Sequence, residues 1–419
     1  MNNKHLLIDS TFLITELKRK RPPHGIPRVI LAYLRYYMGD LRLVYRLRGK
    51  LFILPQHYSQ KIAELLLLWD FKLYPKILLL IIRALFAAEK INDRDHYFLF
   101  KLDQNGMKYP NYFNQLNKMG INTLIMIHDL FPITHPEYSD PNYAKQFATN
   151  IKLSLKNAAG ILCVSQNTKN ILTHYVQINN LPSPPSAATN LAPGFQPGFA
   201  HSIRPIEGPY FVIISTIVAR KNHLLLLHIW RKLVDDLGSK APKLVIIGKR
   251  SSECTNTLAL LERCQQLRQQ VIELTATDEE LQNYLVHAKA LLFPTFAEGY
   301  GLPLIEALST NVPVLCSDLA IFREIAQDAP EYLDPIDGRA WMEMILEYAQ
   351  EKSLLREAQL ERLSQFTIPS WEEHFNKVNV FIETTFSTDK ASIKRRSRKR
   401  KWKFIRGSKP ESSNFPDCF

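Results

Sequence analysis

Glu298 and Glu306 are the carboxylates best placed to do chemistry, because they flank a change of backbone period. Ala288 to Phe293 is a short apolar run of the kind that forms a buried parallel strand. From Pro303 the chain (Pro-Leu-Ile-Glu-Ala-Leu) reads as a helix with proline near its first position. Gly299 and Gly301 hinge the turn between them and allow close approach of the backbone to a ligand. The amides of Tyr300, Gly301 and Leu302 then face outward from a helix N-terminus, where free donors and the helix dipole favour an anion such as a diphosphate. Taken singly, Glu306 reads as a first-turn carboxylate and Glu298 as a solvated loop charge; both are expected in a solvated cleft.

Two further groups carry charge or a titratable ring to strand ends. Arg220-Lys221-Asn222-His223 follows the apolar strand Tyr210 to Ser215 and opens a Leu-rich helix. Cations there oppose the helix dipole, and a bound phosphate gives them a reason. His128-Asp129 follows the strand Thr123 to Ile127, at the carboxyl edge where open α/β sheets bind ligands. His24-Gly25-Ile26-Pro27-Arg28 precedes the helix from Val29 to Tyr37 and also reads as a solvated basic loop.

Glu298-x7-Glu306 with Gly-Tyr-Gly-Leu-Pro between them resembles the donor-site motif of the retaining GT-B glycosyltransferases of family four. Three other segments support the resemblance: Ser215-Thr-x-x-x-Arg220-Lys221-Asn222, in which serine replaces the usual glycine, His128-Asp-Leu-x-Pro, and the loop around Gly25 and Arg28. The likeness covers residues 5 to 385, more closely in the second half. It implies that Glu298 and His128 contact the transferred sugar, with Glu298 and His128 as the catalytic candidates. It implies that Gly299, Tyr300, Gly301 and Leu302 hold sugar and phosphate through the backbone, that Arg220 and Lys221 neutralise the donor diphosphate, and that Glu306 takes the ribose hydroxyls. Gly25, Arg28 and Asp129 fall on the acceptor side. No metal or cofactor is implied, and no Asp-x-Asp run occupies a cleft position.

Strands at Lys4–Ile8, Tyr97–Leu102, Thr123–Ile127 and Gly160–Ser165, and again at Tyr210–Ser215, Lys243–Gly248, Val271–Leu274, Ala288–Phe293 and Val312–Ser317, alternate with helical segments. This predicts an α/β protein of two doubly wound, Rossmann-like domains facing a central cleft. The domains are expected at 1–195 (acceptor side) and 205–370 (nucleotide sugar). A Pro- and Ser-rich connection spans 180–209. The resemblance adds a closing helix at 371–388, packed back on the first domain, and 389–419 reads as a basic disordered tail.

The 419 residues are 46% hydrophobic, enough for two cores, and the net charge is +13. Eleven of those charges lie in residues 390–409, so the body is nearly neutral and nucleic-acid binding by it loses its electrostatic support. Five cysteines without a C-x-x-C pair, and an N-terminus without an apolar signal core, fit a reduced cytoplasmic setting. The apolar segment 77–88 is too short for the ~20 residues of a bilayer span; it reads as a buried helix, or as an interfacial one with Trp69, Lys72, Tyr74, Lys76 and Arg83 at headgroup level.

These features predict a metal-independent retaining transferase. It would move a hexose (mannose, glucose or rhamnose class) from a nucleotide-diphosphate sugar to a glycan or lipid-linked acceptor in bacterial-type surface polysaccharide synthesis. The enzyme would be cytoplasmic, with an anionic membrane surface as a further partner at the inner face. The competing expectation is a non-catalytic GT-B-fold binding protein held at a membrane.

Overall fold

A computed structural model describes residues 4–87, 96–107, 109–195, 203–251 and 254–386. Two sheets organise it. The first is built from β1 (Lys4–Asp9), β2 (Leu41–Leu47), β3 (Lys50–Ile53), β4 (His96–Lys101), β5 (Asn122–Ile127), β6 (Gly160–Cys163) and β7 (Ser186–Ala188). Their order is β3-β2-β1-β4-β5-β6-β7, and only the edge pair β2/β3 is antiparallel. The second comprises β8 (Tyr210–Ile214), β9 (Lys243–Ile247), β10 (Val271–Leu274), β11 (Leu291–Phe293), β12 (Val314–Ser317) and β13 (Glu331–Leu333). It is parallel throughout, in the order β10-β9-β8-β11-β12-β13.

Strand sequences explain this arrangement. Along β8, Tyr210, Val212 and Ile214 enter one apolar layer and Phe211 and Ile213 the other, so every residue of the strand is buried. A strand buried on both faces must be apolar throughout, which is why these segments read as continuous hydrophobic runs. Strand order reverses between β8 and β11, and the crevice beyond their carboxyl ends is where such sheets bind ligands. Arg220 and Lys221 follow β8 and Glu298 follows β11, so the topology brings the three together.

The closing helix, Trp371–Phe386, packs on the first domain. His374 Nε2 lies 2.9 Å from the Tyr33 hydroxyl, Tyr37 donates to Asn379 at 2.9 Å, and the Tyr36 and Phe375 rings stack at 3.9 Å. Aromatic packing of this kind adds to plain area burial.

The 180–209 run differs from the simple connection expected of its composition. Ser186–Ala188 forms the seventh strand, hydrogen-bonded to β6, and Leu191 and Ala192 are buried. Three residues are too few to show a period, and small side chains after prolines give no strand signal. Residues 196–202 lie outside the described residues, as does the tail 389–419.

The 77–88 segment is half of what each reading expected. Helix Tyr74–Phe86 buries Ile77, Ile81 and Ala84 but exposes Leu78, Leu79, Ile82 and, at 91%, Phe86; Ala88 is outside the described residues. None of the described helices is long and apolar enough to cross a membrane.

Candidate active site

A cavity of about 580 Å³ lies between the two domains, and every predicted site residue lines it: Gly25, Arg28, His128 and Asp129 from the first domain; Arg220, Lys221, Glu298, Gly299, Tyr300, Gly301, Leu302 and Glu306 from the second. The size is that of a small-ligand site.

At its centre Glu298 accepts from Lys221 Nζ, and Arg220 approaches it at 2.8 Å. Burial would raise the carboxyl's pKa, but Lys221 and Arg220 outweigh it and hold it below the usual range. For Lys221 burial wins, and its ammonium is lowered despite Glu298. Arg220 also donates to the Ala297 carbonyl and stacks its guanidinium over the Phe131 ring at 4.2 Å, a contact from the second domain to the first. With no ligand bound, Glu298 is therefore the counter-ion of the two cations expected to meet a diphosphate.

His128 and Asp129 stand opposite. The His128 ring lies with Nε2 at 2.8 Å from the Leu102 carbonyl, which requires the proton on Nε2 and leaves Nδ1 an acceptor. Burial lowers its pKa, so the ring is neutral. Burial pushes Asp129 up to about 7, against the pull of Arg220 and with the push of Glu298.

The glycines do something the sequence did not reveal. A Cβ on Gly299 would sit 1.9 Å from the His128 carbonyl oxygen, so Gly299 is required by the facing domain as much as by any ligand. Its own carbonyl accepts from Thr168 Oγ1 at 3.1 Å and Ser165 Oγ at 3.4 Å. Gly301 is needed for its backbone, at φ +106°, where it caps helix Leu302–Ser309.

Glu306 departs from expectation. Instead of a solvated first-turn carboxylate it is 1% exposed, and its carboxylate pairs with Arg28, whose side chain is 6% exposed. Arg28 crosses from the first domain and also reaches Asp278. The Gly194 amide donates to the same Glu306 oxygen at 3.3 Å. Burial raises the Glu306 pKa, partly offset by Arg28, while for Arg28 the two carboxylates overcome burial and raise its pKa. Gly25 and Arg28, expected towards an acceptor, thus line the same cavity as Lys249, Thr275 and Glu306, with Arg28 paired to Glu306. Asp278 stands at the start of its helix, which Thr277 caps in a capping box with Glu280.

Several residues escaped the sequence. Glu324, on helix Ala320–Ala326, accepts from the Gln166 and Asn167 amides, both at 2.7 Å, and so caps the first-domain helix Gln166–Ile178 from the second domain. Ser165 caps the same helix locally, accepting from the Thr168 amide, but nothing in the sequence links a carboxylate 158 residues away to it. Asp9, Lys101, Asp103 and Tyr112 form a buried network at the end of β1 and β4, satisfied internally. Among the described residues no group of three His, Cys, Asp or Glu is placed to hold a metal ion.

Two doubly wound domains enclosing a cleft, with an acidic pair eight residues apart beside an Arg-Lys pair, define a GT-B protein. The fold is that of the GT-B glycosyltransferases, and the family model described as "Glycosyl transferases group 1" matches residues 208–351, about a third of the chain. The chain is 30% identical over 257 residues to "O-antigen chain mannosyltransferase B" of Escherichia coli, covering 58% of this chain and 66% of that one. It is 26% identical over 253 residues to "Serotype-specific mannosyltransferase WbdA" of Escherichia coli, covering 56% of this chain and 31% of that one, so it spans about a third of that relative's length. The fold is shared with sucrose-phosphate synthase from Thermosynechococcus elongatus (TM-score 0.62, 14% identity, 92% of this chain and 100% of that one). It is shared also with Anabaena HepE in complex with UDP and glucose (TM-score 0.61, 11% identity, 91% and 100%).

Proposed function

We propose that this protein is a retaining hexosyltransferase that uses a nucleotide-diphosphate sugar and acts in surface polysaccharide synthesis, on a glycan or lipid-linked acceptor. The observation that carries the reading is the placement of Arg220, Lys221 and Glu298 together at the switch point of the second sheet, in one cavity with Glu306. The matched mannosyltransferases, two of them named for O-antigen chains, support a hexose donor and a polysaccharide product.

Breaking the anomeric bond builds positive charge on the sugar and negative charge on the departing diphosphate. Arg220 and Lys221 leave Glu298 for the diphosphate as donor binds, so their charge needs no metal ion to supplement it. Glu298, released, accepts hydrogen bonds from the sugar hydroxyls, and His128 Nδ1 accepts another. Glu306 takes the ribose hydroxyls once Arg28 yields. The acceptor hydroxyl attacks on the face the diphosphate leaves. One C–O bond forms as the other breaks, and the acceptor's proton passes to the leaving phosphate oxygen, so no protein nucleophile is required. Hydrolysis of a panel of nucleotide sugars by the full chain, with and without EDTA, tests this. Release of one sugar, unaffected by EDTA, is expected; loss of activity with EDTA and its return with magnesium would contradict the metal-independent step.

The exposed side of helix Tyr74–Phe86 supports work at the inner face of an anionic membrane. Leu78, Leu79, Ile82 and Phe86, with Leu68 nearby, are exposed beside Lys72, Lys76 and Arg83. An apolar face rimmed by cations suits an interfacial helix, each cation adding about 1 kcal/mol near anionic lipid. Sedimentation with anionic vesicles should fall for Leu79→Glu/Ile82→Glu. If only removal of residues 389–419 abolishes it, the tail is the anchor and the helix is not.

A further inference from the structure

At the Glu298–Gly299 segment lies a second chamber of about 180 Å³, whose lining does not include Glu306. It shares Asp129, Phe131, Glu298 and Gly299 with the larger cavity, so the two meet at the carboxylates. At ~30 Å³ per water it has room for about six waters, a volume that suits a single sugar ring.

Its chemistry differs from that of its neighbour. The larger cavity carries Arg28, Arg220, Lys221 and Lys249, whereas no lysine or arginine lines the smaller one. The neighbouring cation, Arg220, is engaged by Glu298, the Ala297 carbonyl and the Phe131 ring. What the chamber offers is the hydroxyl of Thr134 and the ring of His135, hydrogen-bonded to each other at 2.9 Å, the side-chain amide of Asn167 and the two carboxylates, against the apolar face of Phe296. Phe296 is held in place by Tyr138 of the first domain, whose ring is parallel to it within 6° at 5.8 Å. A ring with one apolar and several hydroxylated faces matches this lining, and an aromatic wall with a few placed polar groups is how small polar ligands are oriented.

The geometry points to the smaller chamber as the binding site of a neutral sugar, the terminal residue of the acceptor, which reaches the donor past Asp129 and Glu298. This rests on the transferase reading proposed above. It moves the acceptor from the Gly25–Arg28 loop, which lines only the larger cavity, to the chamber walled by Thr134 and Phe296.

The test uses the full chain and two titrations: a nucleoside diphosphate (UDP and GDP in turn), and the methyl α-glycosides of mannose, glucose, galactose and N-acetylglucosamine, followed by ligand-observed NMR. At ~10 mM, a concentration that fills a site of millimolar affinity, at least one glycoside is expected to bind. Thr134→Trp, at an exposed position, should fill the chamber and lower glycoside affinity at least ~10-fold. Phe296→Ala, which removes the platform without adding bulk, should lower it in the same direction by at least ~5-fold. Nucleoside diphosphate affinity should stay within about twofold in both, and the diphosphate should not displace the glycoside. The proposal is overturned if no glycoside binds, or if binding survives both substitutions and is displaced by the diphosphate, which would put the sugar in the larger cavity. Glycoside binding that both substitutions abolish, in a protein that binds neither diphosphate, would keep the sugar chamber and sink the transferase reading instead.

Discussion

Arg28 and Glu306 are 278 residues apart and belong to different domains, yet the guanidinium of one and the carboxylate of the other form a buried ion pair at the end of the cleft. The residue expected to hold the donor's ribose is thus already occupied, by a group from the opposite wall. Breaking one side of a buried pair strands the other, at a cost of about 3–5 kcal/mol, whereas losing both together costs far less. Arg28→Met and Glu306→Gln should therefore each lower the urea midpoint, Arg28→Met strongly, and Arg28→Met/Glu306→Gln should recover most of the loss. Strict additivity of the single and double variants would mean that the pair is not coupled.

Glu298→Gln should separate turnover from binding. The carboxylate pairs with Arg220 and Lys221, so on the proposed reading it competes with a diphosphate for them, and removing its charge frees both. Nucleoside diphosphates should bind several-fold more tightly while sugar transfer falls steeply, because the sugar's hydrogen-bond acceptor is gone. Lys221→Ala should do the reverse to binding, weakening diphosphate by about 1.5–3 kcal/mol and the bare nucleoside hardly at all. Calorimetry on the two variants decides this; weaker diphosphate binding by Glu298→Gln would contradict it.

Asp129 gives the cleft a titration near neutrality. Its carboxyl is raised from 3.8 to about 7, chiefly by burial, and Arg220, Lys221 and Glu298 face it. The unfolded chain ionises this group first, so its contribution to stability declines as pH rises from about 4 to about 7 and is level above. In the cleft, ionisation adds negative charge beside the cations. Affinity for an intact nucleotide-diphosphate sugar, whose phosphates do not titrate there, should weaken as pH passes 7. Asp129→Asn should abolish that dependence; an unchanged profile in the variant would assign the titration elsewhere.

The Glu324 cap and the Thr168 and Ser165 bonds to Gly299 join the domains on the far side of the cleft. Glu324→Ala removes the carboxylate at a helix N-terminus and should cost about 1–2 kcal/mol. It should also speed proteolysis near residues 166–168 in the ligand-free protein, an effect that saturating donor reverses. Equal protection with and without the carboxylate would show that it does not hold the domains together.

Local chemistry made the donor end readable. Glu298, Arg220 and Lys221 follow strand ends by five to seven residues and Glu306 sits in the helix that opens just after Glu298, so an apolar run followed by a turn and a helix fixes where such residues must emerge. The strands of both sheets were legible for the same reason, except β2, β3, β7 and β13. Of these β2/β3 is an edge hairpin, turning at Arg48 and Gly49, with an irregular burial pattern, and β7 (Ser-Ala-Ala) and β13 (Glu-Tyr-Leu) lack the apolar run that marks the equally short β11. Relationships across the cleft were not legible. Nothing near Arg28 announces Glu306, and nothing near Gln166 announces Glu324, because those pairs are set by how two domains meet. The burial of Glu306 was missed for that reason: its exposure depends on a side chain from another domain.

The most direct test of the donor-site reading is the anomeric configuration of a transferred sugar. The nucleotide sugar that the full chain consumes should be incubated with an accepted glycoside, and the product's anomeric proton read by NMR for wild type and Glu298→Gln. The account predicts a product with the donor's own anomeric configuration from wild type, and a rate from Glu298→Gln reduced by ~100-fold or more, about 2.7 kcal/mol of lost transition-state stabilisation. An inverted product, or full-rate transfer by Glu298→Gln, would contradict it.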